Sequence, residues 1–366
     1  MGGYRMKITI LGAGNTGLAM AAHAVEQGHH VILWNRFKDE IESLLDTQTI
    51  HTLGEIEGAY KLDLVTTDIE EALKDPDIIL IATPSFVHRY FAEEVAKYLK
   101  NETIILLCPG RTYGALEFIE TFKRFNNKVR PVVAETQTAI YTCRKTSDDT
   151  VEILSIKSNV LFSALNAADN KAIYEKVPSY IQTQLNPANS IVETSIGTVG
   201  MIMHCAPLLL NTGWTESKTQ NYKYYLEGIS PSIAKILEKI DEERIAVSKK
   251  LGYEVESVRK WLERVYDVKG ETLYESIQNT VPYQTIEAPN SLDNRYITED
   301  VPNGLVPLES TGHSLGLEMK YTGIIIELAN ILLNRDFRSE GRNLKKIFRD
   351  DQSKIDEFLK RSEVSE

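Results

Sequence analysis

Short apolar runs separated by helical segments fill the chain from residue 7 to about residue 133. The first run, "KITIL", leads into a predicted helix from about Thr16 to Gln27, which Gly28 closes. Strands of continuous apolar character that alternate with helices are typical of a parallel sheet covered on both faces. This half of the chain is therefore predicted to have an α/β fold with a doubly wound sheet. The predicted strands are Lys7–Leu11, His30–Trp34, Asp77–Ala82, Glu102–Cys108 and Val129–Ala134.

A helical period replaces this pattern after about residue 187. The segment 230–252 begins with a serine cap followed by a proline, keeps its apolar residues at helical spacing, and ends at a glycine. The polar stretch Gln182–Ser190 is the best candidate for a linker. We therefore predict two domains. The first, over 1–187, contains the doubly wound sheet, and the second, over 188–366, is all-helical. Further helices are predicted in 321–337 and 341–348.

Composition narrows the class of protein. The 366 residues are 42% hydrophobic and 25% charged, which is typical of a globular protein with a full core. The formal net charge of -11 argues against a nucleic-acid partner, because phosphates would be repelled. We see no apolar run of about 18 residues and no signal-peptide layout, so we expect no membrane span and no export. The cysteines are few and lack metal-ligand spacing, so we expect no metal site and a cytoplasmic location; they are Cys108, Cys143 and Cys205.

A glycine-rich turn follows the first predicted strand. The string "LGAGNTG" places Gly12, Gly14 and Gly17 in G-x-G-x-x-G spacing, with Asn15 and Thr16 at the start of the helix. Such a turn lets backbone approach a pyrophosphate, which then lies at a helix N-terminus where N–H groups and the dipole favour an anion. Three glycines could also make only a tight turn. The position at the head of a βαβ unit favours a Rossmann-type dinucleotide site.

The end of the second strand suggests which dinucleotide binds. An acid usually stands there and bonds the ribose 2′-hydroxyl, but this strand ends in Asn35 and Arg36. Arg36 could pair with a 2′-phosphate, so NADP(H) is favoured. NAD(H) remains the alternative, in which Arg36 is an exposed loop residue and the acid lies elsewhere, with Asp39 as the candidate. Thr83 and Pro84, after the third predicted strand, would pass beneath the nicotinamide half or simply form a turn.

Several stretches of the chain resemble one enzyme family. They are "AETQTAIYTCR" (134–144), "YYLEGISPSIAKILEKIDEERIAVSKKLG" (224–252), "RYITEDVPNGLVPLESTG" (295–312) and "DFRSEGRNL" (336–344). These resemble the signatures of opine dehydrogenases, which include octopine and nopaline dehydrogenases and bacterial N-(carboxyethyl)amino-acid dehydrogenases. The resemblance implies a two-domain enzyme that reductively condenses an amino acid with a 2-oxo acid, usually pyruvate. The family's catalytic histidine and aspartate then fall on His204 and Asp300.

The chemistry itself calls for such a pair. Forming a secondary amine from an amine and a ketone needs a proton moved near neutral pH, and histidine suits this task. A nearby carboxylate fixes the tautomer of the imidazole. The alternatives are a core His204 bonded to a backbone carbonyl and an Asp300 that bonds its own turn, which Pro302 and Gly304 are expected to impose. The rival histidine is His313, just beyond the Asp300 segment.

Substrate carboxylates need cations. Arg111, Arg144 and Arg295 could each grip a carboxylate, and each could equally form an exposed ion pair. Arg111 departs from animal octopine dehydrogenases, which resemble "PGQ" at this point. By resemblance, Thr136 matches a substrate-gating threonine, and the tyrosines of "NYKYY" (221–225) could either line the substrate site or only pack.

Two other functions remain open from the sequence. One is a different two-domain reductase, of the ketopantoate, glycerol-3-phosphate or 6-phosphogluconate type, which would use a lysine to move the proton. Lys223 and Lys320 are the nearest candidates, and neither is a lone buried lysine in a motif. The other is a catalytically silent nucleotide-binding regulator. The substrates' identity is open, and so is the choice between a monomer and a homodimer.

Overall fold

The computed structural model describes residues 5–360. The chain divides into two compact units, the first ending at Ser195 and the second beginning at Ile196. This division comes later than the predicted boundary at residue 187. The reason is that the predicted linker contains a strand, Leu185–Pro187, which pairs with strand Val160–Ala164. The linker expectation for 182–190 is therefore wrong.

The bounds of the elements are as follows. The strands are β1 (Lys7–Leu11), β2 (His30–Trp34), β3 (Thr49–Gly54), β4 (Gly58–Lys61), β5 (Leu64–Thr66), β6 (Ile78–Ile81), β7 (Ile104–Leu107), β8 (Val132–Thr136), β9 (Tyr141–Lys145), β10 (Thr150–Ile156), β11 (Val160–Ala164) and β12 (Leu185–Pro187). The α-helices of the first unit are α1 (Asn15–Glu26), α2 (Glu42–Thr47), α3 (Ile69–Ala72), α4 (His88–Tyr98), α5 (Gly114–Phe125), α6 (Asn170–Lys176), α7 (Ser179–Gln182) and α8 (Ile191–Ser195). Those of the second unit are α9 (Gly200–Leu210), α10 (Thr212–Thr215), α11 (Pro231–Lys250), α12 (Val258–Tyr266), α13 (Leu273–Asn279), α14 (Arg295–Thr298), α15 (Val306–Ser314), α16 (Lys320–Leu333), α17 (Phe337–Glu340), α18 (Leu344–Phe348) and α19 (Gln352–Lys360).

An eight-stranded sheet organises the first unit, in the order β12-β11-β8-β7-β6-β1-β2-β5. Strands β5, β2, β1, β6, β7 and β8 run parallel, and β11 is antiparallel to β8. The predicted doubly wound α/β fold is confirmed. The predicted strand at Val129–Ala134 forms later, at Val132–Thr136, after Pro131, which has no N–H to give to a ladder.

Side chains of this sheet alternate between two separate cores. Ile78 and Leu80 of β6 belong to the core that also holds the apolar residues of α1, while Ile79 and Ile81 belong to the core formed with α4 and α5. Because neighbouring strand residues point to opposite faces, a strand buried on both faces must be apolar throughout. This requirement explains the continuous apolar runs in the sequence.

A second, four-stranded sheet was not predicted. Its order is β4-β3-β10-β9, and it carries Val151 and Ile153 into the same core as α1. Its strands lack the continuous apolar character of the main sheet; in β3, for example, buried Ile50 and Thr52 alternate with exposed His51 and Leu53. Pairing between β3 and β10 also joins residues about a hundred positions apart, which no local pattern indicates.

The second unit is helical, as predicted. Helix α11 begins as expected: the Ser230 hydroxyl accepts a hydrogen bond from the Ile233 N–H at 3.3 Å, and Pro231 is the first residue. A buried Arg244 on this helix donates to Asp241 and to the carbonyl oxygens of Ile196 and Glu256. Because a buried charge needs such compensation, these bonds tie the start of the unit and the turn before α12 to α11.

The stretch Ile191–Leu210 is apolar and long enough to cross a membrane by length and composition alone. The expectation that the chain has no apolar run of that length is therefore wrong. In the structure, 83% of the stretch is buried within the protein, which is typical of a core segment. It forms α8 and α9 rather than one continuous helix, and it contains His204.

Candidate active site

Contacts around the glycine turn leave no room for side chains. Gly12 has φ +107°, and a Cβ there would lie 2.6 Å from the Cγ2 of Thr83 and 2.8 Å from the carbonyl oxygen of Ala82. A Cβ on Gly17 would lie 1.8 Å from the carbonyl oxygen of Gly12. Glycine is therefore required at both positions, the first for its backbone conformation and the second for close packing of α1 on the turn.

Space remains open where a phosphate would bind. Nothing lies within 4 Å of a Cβ built on Gly14, which caps α1 without any side-chain hydrogen bond to the helix. Beside the turn, the buried hydroxyl of Thr83 has no hydrogen-bond partner among residues 5–360, and Pro84 next to it is exposed. An uncapped helix N-terminus and an unused hydroxyl at the carboxyl end of β6 fit a dinucleotide bound over this edge of the sheet.

Asn35, at the end of β2, holds the glycine turn. Its Oδ1 accepts from the Ala13 N–H at 3.1 Å, and its Nδ2 donates to the carboxylate of Glu40 at 2.9 Å. Although the strand itself ends in Asn35 and Arg36, a carboxylate therefore does lie near its end, and it is that of Glu40. Glu40 is the last residue of a 3₁₀ turn, Lys38–Glu40, and its bond to Asn35 is not indicated by the sequence.

Arg36 stands exposed beside this corner. Its guanidinium lies 4.6 Å from the ring centroid of Tyr90 and 5.5 Å from that of Phe37. Stacking on aromatic faces orients a guanidinium without using its hydrogen-bond donors. The donors of Arg36 thus stay available for an anion.

Strand β9 adds a cation that sequence reasoning missed. Lys145 donates its ammonium to the carbonyl oxygens of Ala13 at 3.2 Å and Glu40 at 2.9 Å, and its backbone N–H donates to Asn15 Oδ1 at 2.8 Å. Burial lowers the pKa of Lys145. Because both acceptors are neutral carbonyls, its charge is not neutralised by a bonded carboxylate.

The helical unit brings His204 and Asp300 together. Nδ1 of His204 lies 2.8 Å from Oδ2 of Asp300. The Asp300 side chain is 2% exposed and that of His204 is 19% exposed. The imidazole is thus neither a wholly buried core group nor bonded through Nδ1 to a backbone carbonyl. Its Nε2 has no hydrogen-bond partner among the described residues.

A tight packing contact lies beside this pair. Asp300 leads into a π-helical turn, Val301–Leu305, so the expected loop is a helical turn that continues into α15. A Cβ on Gly304 would lie 2.7 Å from the Cβ of Met201, which is on α9 three residues before His204. Glycine therefore lets the turn rest against α9. Single π-helical turns occur frequently at functional sites.

Aromatic side chains surround the imidazole. The ring of Tyr296 stacks on His204 with centroids 4.1 Å apart and planes 8° from parallel. Tyr224 donates its hydroxyl to the backbone carbonyl of His204 at 2.5 Å. The neighbouring carbonyl, that of Met203, has no helical N–H donor, because the residue that would supply it, residue 207, is a proline. Tyr224 comes from the "NYKYY" string, whereas Tyr296, although it lies in the 295–312 stretch, was not singled out by the sequence analysis.

The remaining candidates are spread more widely. Thr136 is fully buried, and its hydroxyl donates to the Thr138 carbonyl at 2.9 Å, closing the turn after β8. The segment of Arg111 is tied to the same strand end by the Gly110 N–H, which donates to the Thr136 carbonyl at 3.2 Å. Arg144 is exposed on the face of β9 opposite the one that contacts α1, so the structure does not bring it to the glycine turn.

The other candidates lie at the surface of the second unit. Arg295 is exposed and forms an ion pair at 3.1 Å with Glu299, the residue directly before Asp300. The rival histidine, His313, is exposed at the end of α15. Lys223 forms an exposed ion pair with Glu287. No group of three metal-ligating side chains occurs between residues 5 and 360.

Comparisons with known proteins place this architecture. The sequence model of one protein family, the alpha-helical domain of NAD/NADP octopine/nopaline dehydrogenases, matches residues 187–333. The sequence model of a second family, the N-terminus of NAD-dependent glycerol-3-phosphate dehydrogenases, matches residues 7–131. An opine dehydrogenase from Arthrobacter sp. (strain 1C) is 36% identical over 339 residues, which cover 92% of this chain and 94% of that protein. This chain belongs to the opine dehydrogenase family. It is accordingly an NAD(P)-dependent oxidoreductase of the opine-forming type, which decides against a silent regulator.

More distant relatives match this chain over most of its length. Protein ocs of Agrobacterium tumefaciens (strain Ach5) is 23% identical, over 93% of this chain and 95% of its own. An octopine dehydrogenase solved with NADH and pyruvate superimposes with a TM-score of 0.79 at 17% identity, over 96% of this chain and 97% of that one. A yersinopine dehydrogenase with NADP+ bound gives 0.76 at 13% identity, over 98% of both chains. The two structures confirm the fold predicted for this chain.

The stacked ring of Tyr296 is expected to hold the His204 imidazole in place. Replacing it in Tyr296→Leu should lower kcat about tenfold, since an aromatic pair contributes about 0.5–1.5 kcal/mol and 1.4 kcal/mol corresponds to a factor of ten. Tyr296→Phe keeps the ring and should stay within about threefold of wild type. Steady-state kinetics of the three proteins test this, with NADPH affinity measured as the control. Equal losses in the Leu and Phe variants would show that the hydroxyl, not the ring, matters.

Proposed function

We propose that this enzyme condenses the amine of an amino acid with pyruvate or a similar 2-oxo acid, with His204 as the group that moves the proton. The observation that carries this proposal is the bond between His204 and Asp300, two residues almost a hundred positions apart, in a chain of this family. The amine attacks the ketone, the carbinolamine loses water to give an imine, and the imine is reduced. A bound nicotinamide dinucleotide supplies the hydride for the last step.

The dyad suits the proton transfers at the carbonyl. An ionised Asp300 only accepts hydrogen bonds, so the shared proton lies on Nδ1 of His204 and the lone pair of the neutral ring lies on Nε2. Nε2 can then take a proton from the attacking amine and return it to the leaving hydroxyl as water departs. Asp300 stabilises the imidazolium that forms between these two events. Arg111 and Arg295 are the candidates for the substrate carboxylates, and Thr136, at the end of β8, is the candidate substrate-gating residue.

NADP(H) is the dinucleotide we propose, held at Gly12, Gly14 and Gly17 with its 2′-phosphate toward Arg36. Arg36 offers unused donors, and Lys145 adds a second cation near the same strand end. Glu40 opposes this choice, although its carboxylate is engaged by Asn35. The relatives divide on this point, since NADH is bound in the octopine dehydrogenase structure and NADP+ in the yersinopine dehydrogenase structure. We also propose a cytoplasmic location, in keeping with three free thiols in the described chain.

The reaction class can be tested by substrate dependence. We expect NADPH oxidation, followed by absorbance, only when a 2-oxo acid and an amino acid are present together. Pyruvate and 2-oxoglutarate should each be screened against the standard amino acids. Oxidation of NADPH by the oxo acid alone would contradict the proposal and favour a reductase of the ketopantoate type.

Removal of the proposed proton-transfer group should affect turnover and not cofactor binding. We expect His204→Ala to lower kcat about 10²- to 10⁴-fold, which is the usual contribution of general acid–base catalysis. NADPH affinity, measured by fluorescence titration, should stay within about twofold. His313→Ala is the matched control, because His313 is exposed on α15, and it should retain full activity. Near-normal turnover of His204→Ala would make the imidazole structural.

The preference for NADP(H) can be read from binding constants. If Arg36 holds the 2′-phosphate, Arg36→Ala should raise the Kd for NADPH about 10- to 100-fold, because a hydrogen bond to a charged group contributes about 1.5–3 kcal/mol. The Kd for NADH should change less than about threefold. Arg89→Ala is a suitable control, since Arg89 is an exposed arginine next to Tyr90 that pairs with Glu93. Equal weakening of both dinucleotides would refute the assignment.

A further inference from the structure

Lys157 lies at the carboxyl end of β8, in a part of the chain that no sequence motif marked. It follows β10, and its ammonium donates to the Ala139 carbonyl at 3.1 Å and to the Thr138 hydroxyl at 3.4 Å. Its own N–H donates to the Ile140 carbonyl at 2.8 Å. These contacts fold Lys157 over the turn that joins β8 to β9. The turn begins right after Thr136.

A second cation belongs to a segment bonded to the same end of β8. Arg111 has a left-handed backbone, with φ +59°, and its segment is tied to β8 through the bond from Gly110 to Thr136. Burial lowers the pKa of Lys157 to about 8, and the charge of Arg111 lowers it as well. Two cations thus share the carboxyl end of one strand.

No carboxylate of the described chain forms an ion pair with Lys157. Its hydrogen-bond acceptors are a carbonyl and a hydroxyl. The titratable group that favours the charge of Lys157 is the Cys143 thiol, and burial raises the pKa of that thiol to about 11, so the thiol is neutral near pH 7. Holding an ammonium in a largely buried position with only neutral acceptors is unfavourable unless an anion joins it.

The position of the pair favours a substrate carboxylate as that anion. Ligands of doubly wound sheets bind at the carboxyl ends of the strands, which is where Lys157 and Arg111 lie. The order β8-β7-β6-β1 places two strands between β8 and the strand that feeds the glycine turn. At a spacing of about 4.8 Å, three strand-to-strand steps amount to about 14 Å. The pyrophosphate therefore belongs to a different part of the same edge.

We propose that Lys157, together with Arg111, binds the carboxylate of the 2-oxo acid and thereby sets the affinity for that substrate. This assignment rests on the proposed function and adds to it a binding residue from the β10–β11 connection. An ammonium and a guanidinium together match a carboxylate in charge and in number of donors. The amino-acid substrate would bind elsewhere.

Binding measured without turnover tests this assignment. The enzyme–NADPH complex is titrated by calorimetry with pyruvate and, separately, with 2-oxoglutarate, with no amine present. We expect Lys157→Met to weaken binding of the preferred oxo acid tenfold or more, and Lys157→Arg to retain most of the affinity. The Kd for NADPH should change less than about twofold in both variants. Lys171→Met, at an exposed lysine of α6, is the matched control and should behave as wild type.

Titration with pH gives an independent measurement on folded protein. Wild-type affinity for the oxo acid should fall as the pH rises from 8 to 9.5, because Lys157 loses its charge while Arg111 keeps its own and Cys143 stays neutral. Lys157→Arg should show no such fall over this range, since a guanidinium does not titrate there.

Each other outcome overturns the assignment in a distinct way. Unchanged oxo-acid binding in Lys157→Met, or an equal fall with pH in Lys157→Arg, would remove Lys157 from the substrate site while leaving the proposed function intact. A loss of NADPH affinity in Lys157→Met that matches or exceeds the loss of oxo-acid affinity would assign Lys157 to a cofactor phosphate. A wild-type complex that binds neither oxo acid would overturn the proposed function itself, and this assignment with it.

Discussion

The candidate site depends on one constraint, which is that a carboxylate buried as deeply as Asp300 must be compensated by hydrogen-bond donors. His204 supplies such a donor, and the helical unit holds the two side chains 2.8 Å apart. Gly304 lets the π-helical turn approach α9, and Tyr296 covers one face of the imidazole. Because Nδ1 is committed to Asp300, any chemistry of the ring must use Nε2. The same contacts that stabilise the pair thus also select its reactive atom.

The first unit meets a different constraint, which is steric. Gly12 and Gly17 are required because the turn, α1 and the end of β6 are in direct contact, and this contact leaves the helix N-terminus open above Gly14. Polar groups near the turn are mostly engaged in holding it, as Asn35 shows by bonding both Ala13 and Glu40. The groups that remain for a ligand are the backbone donors of α1, the Thr83 hydroxyl and nearby cations. At a site of this kind, the backbone N–H groups and the dipole of the helix contribute more to phosphate binding than side chains do.

The sequence predicts those parts of the structure whose cause is local. Continuous apolar runs indicated the parallel strands, and the Ser230–Pro231 start of α11 was visible because caps depend on neighbouring residues. The second sheet was missed because β3 and β10 pair across about a hundred residues and alternate in polarity. Glu40, Lys145 and Tyr296 were missed for a related reason: each acquires its place through contacts with segments distant in sequence or through a backward fold. The pairing of His204 with Asp300 came from resemblance, since nothing in either segment alone indicates the other.

The net charge of the chain and the charges at its strand ends support different conclusions about ligands. A net charge of -11 is a sound argument against binding a nucleic acid, whose many phosphates feel the whole surface. It says little about a small anion, because exposed charges more than about 8–10 Å away are largely screened at physiological ionic strength. What a carboxylate or a phosphate meets at the strand ends is set by nearby groups, and there Lys145 and Lys157 both donate to neutral oxygens. An acidic protein can thus keep cations for anionic ligands, provided that its carboxylates are bonded elsewhere.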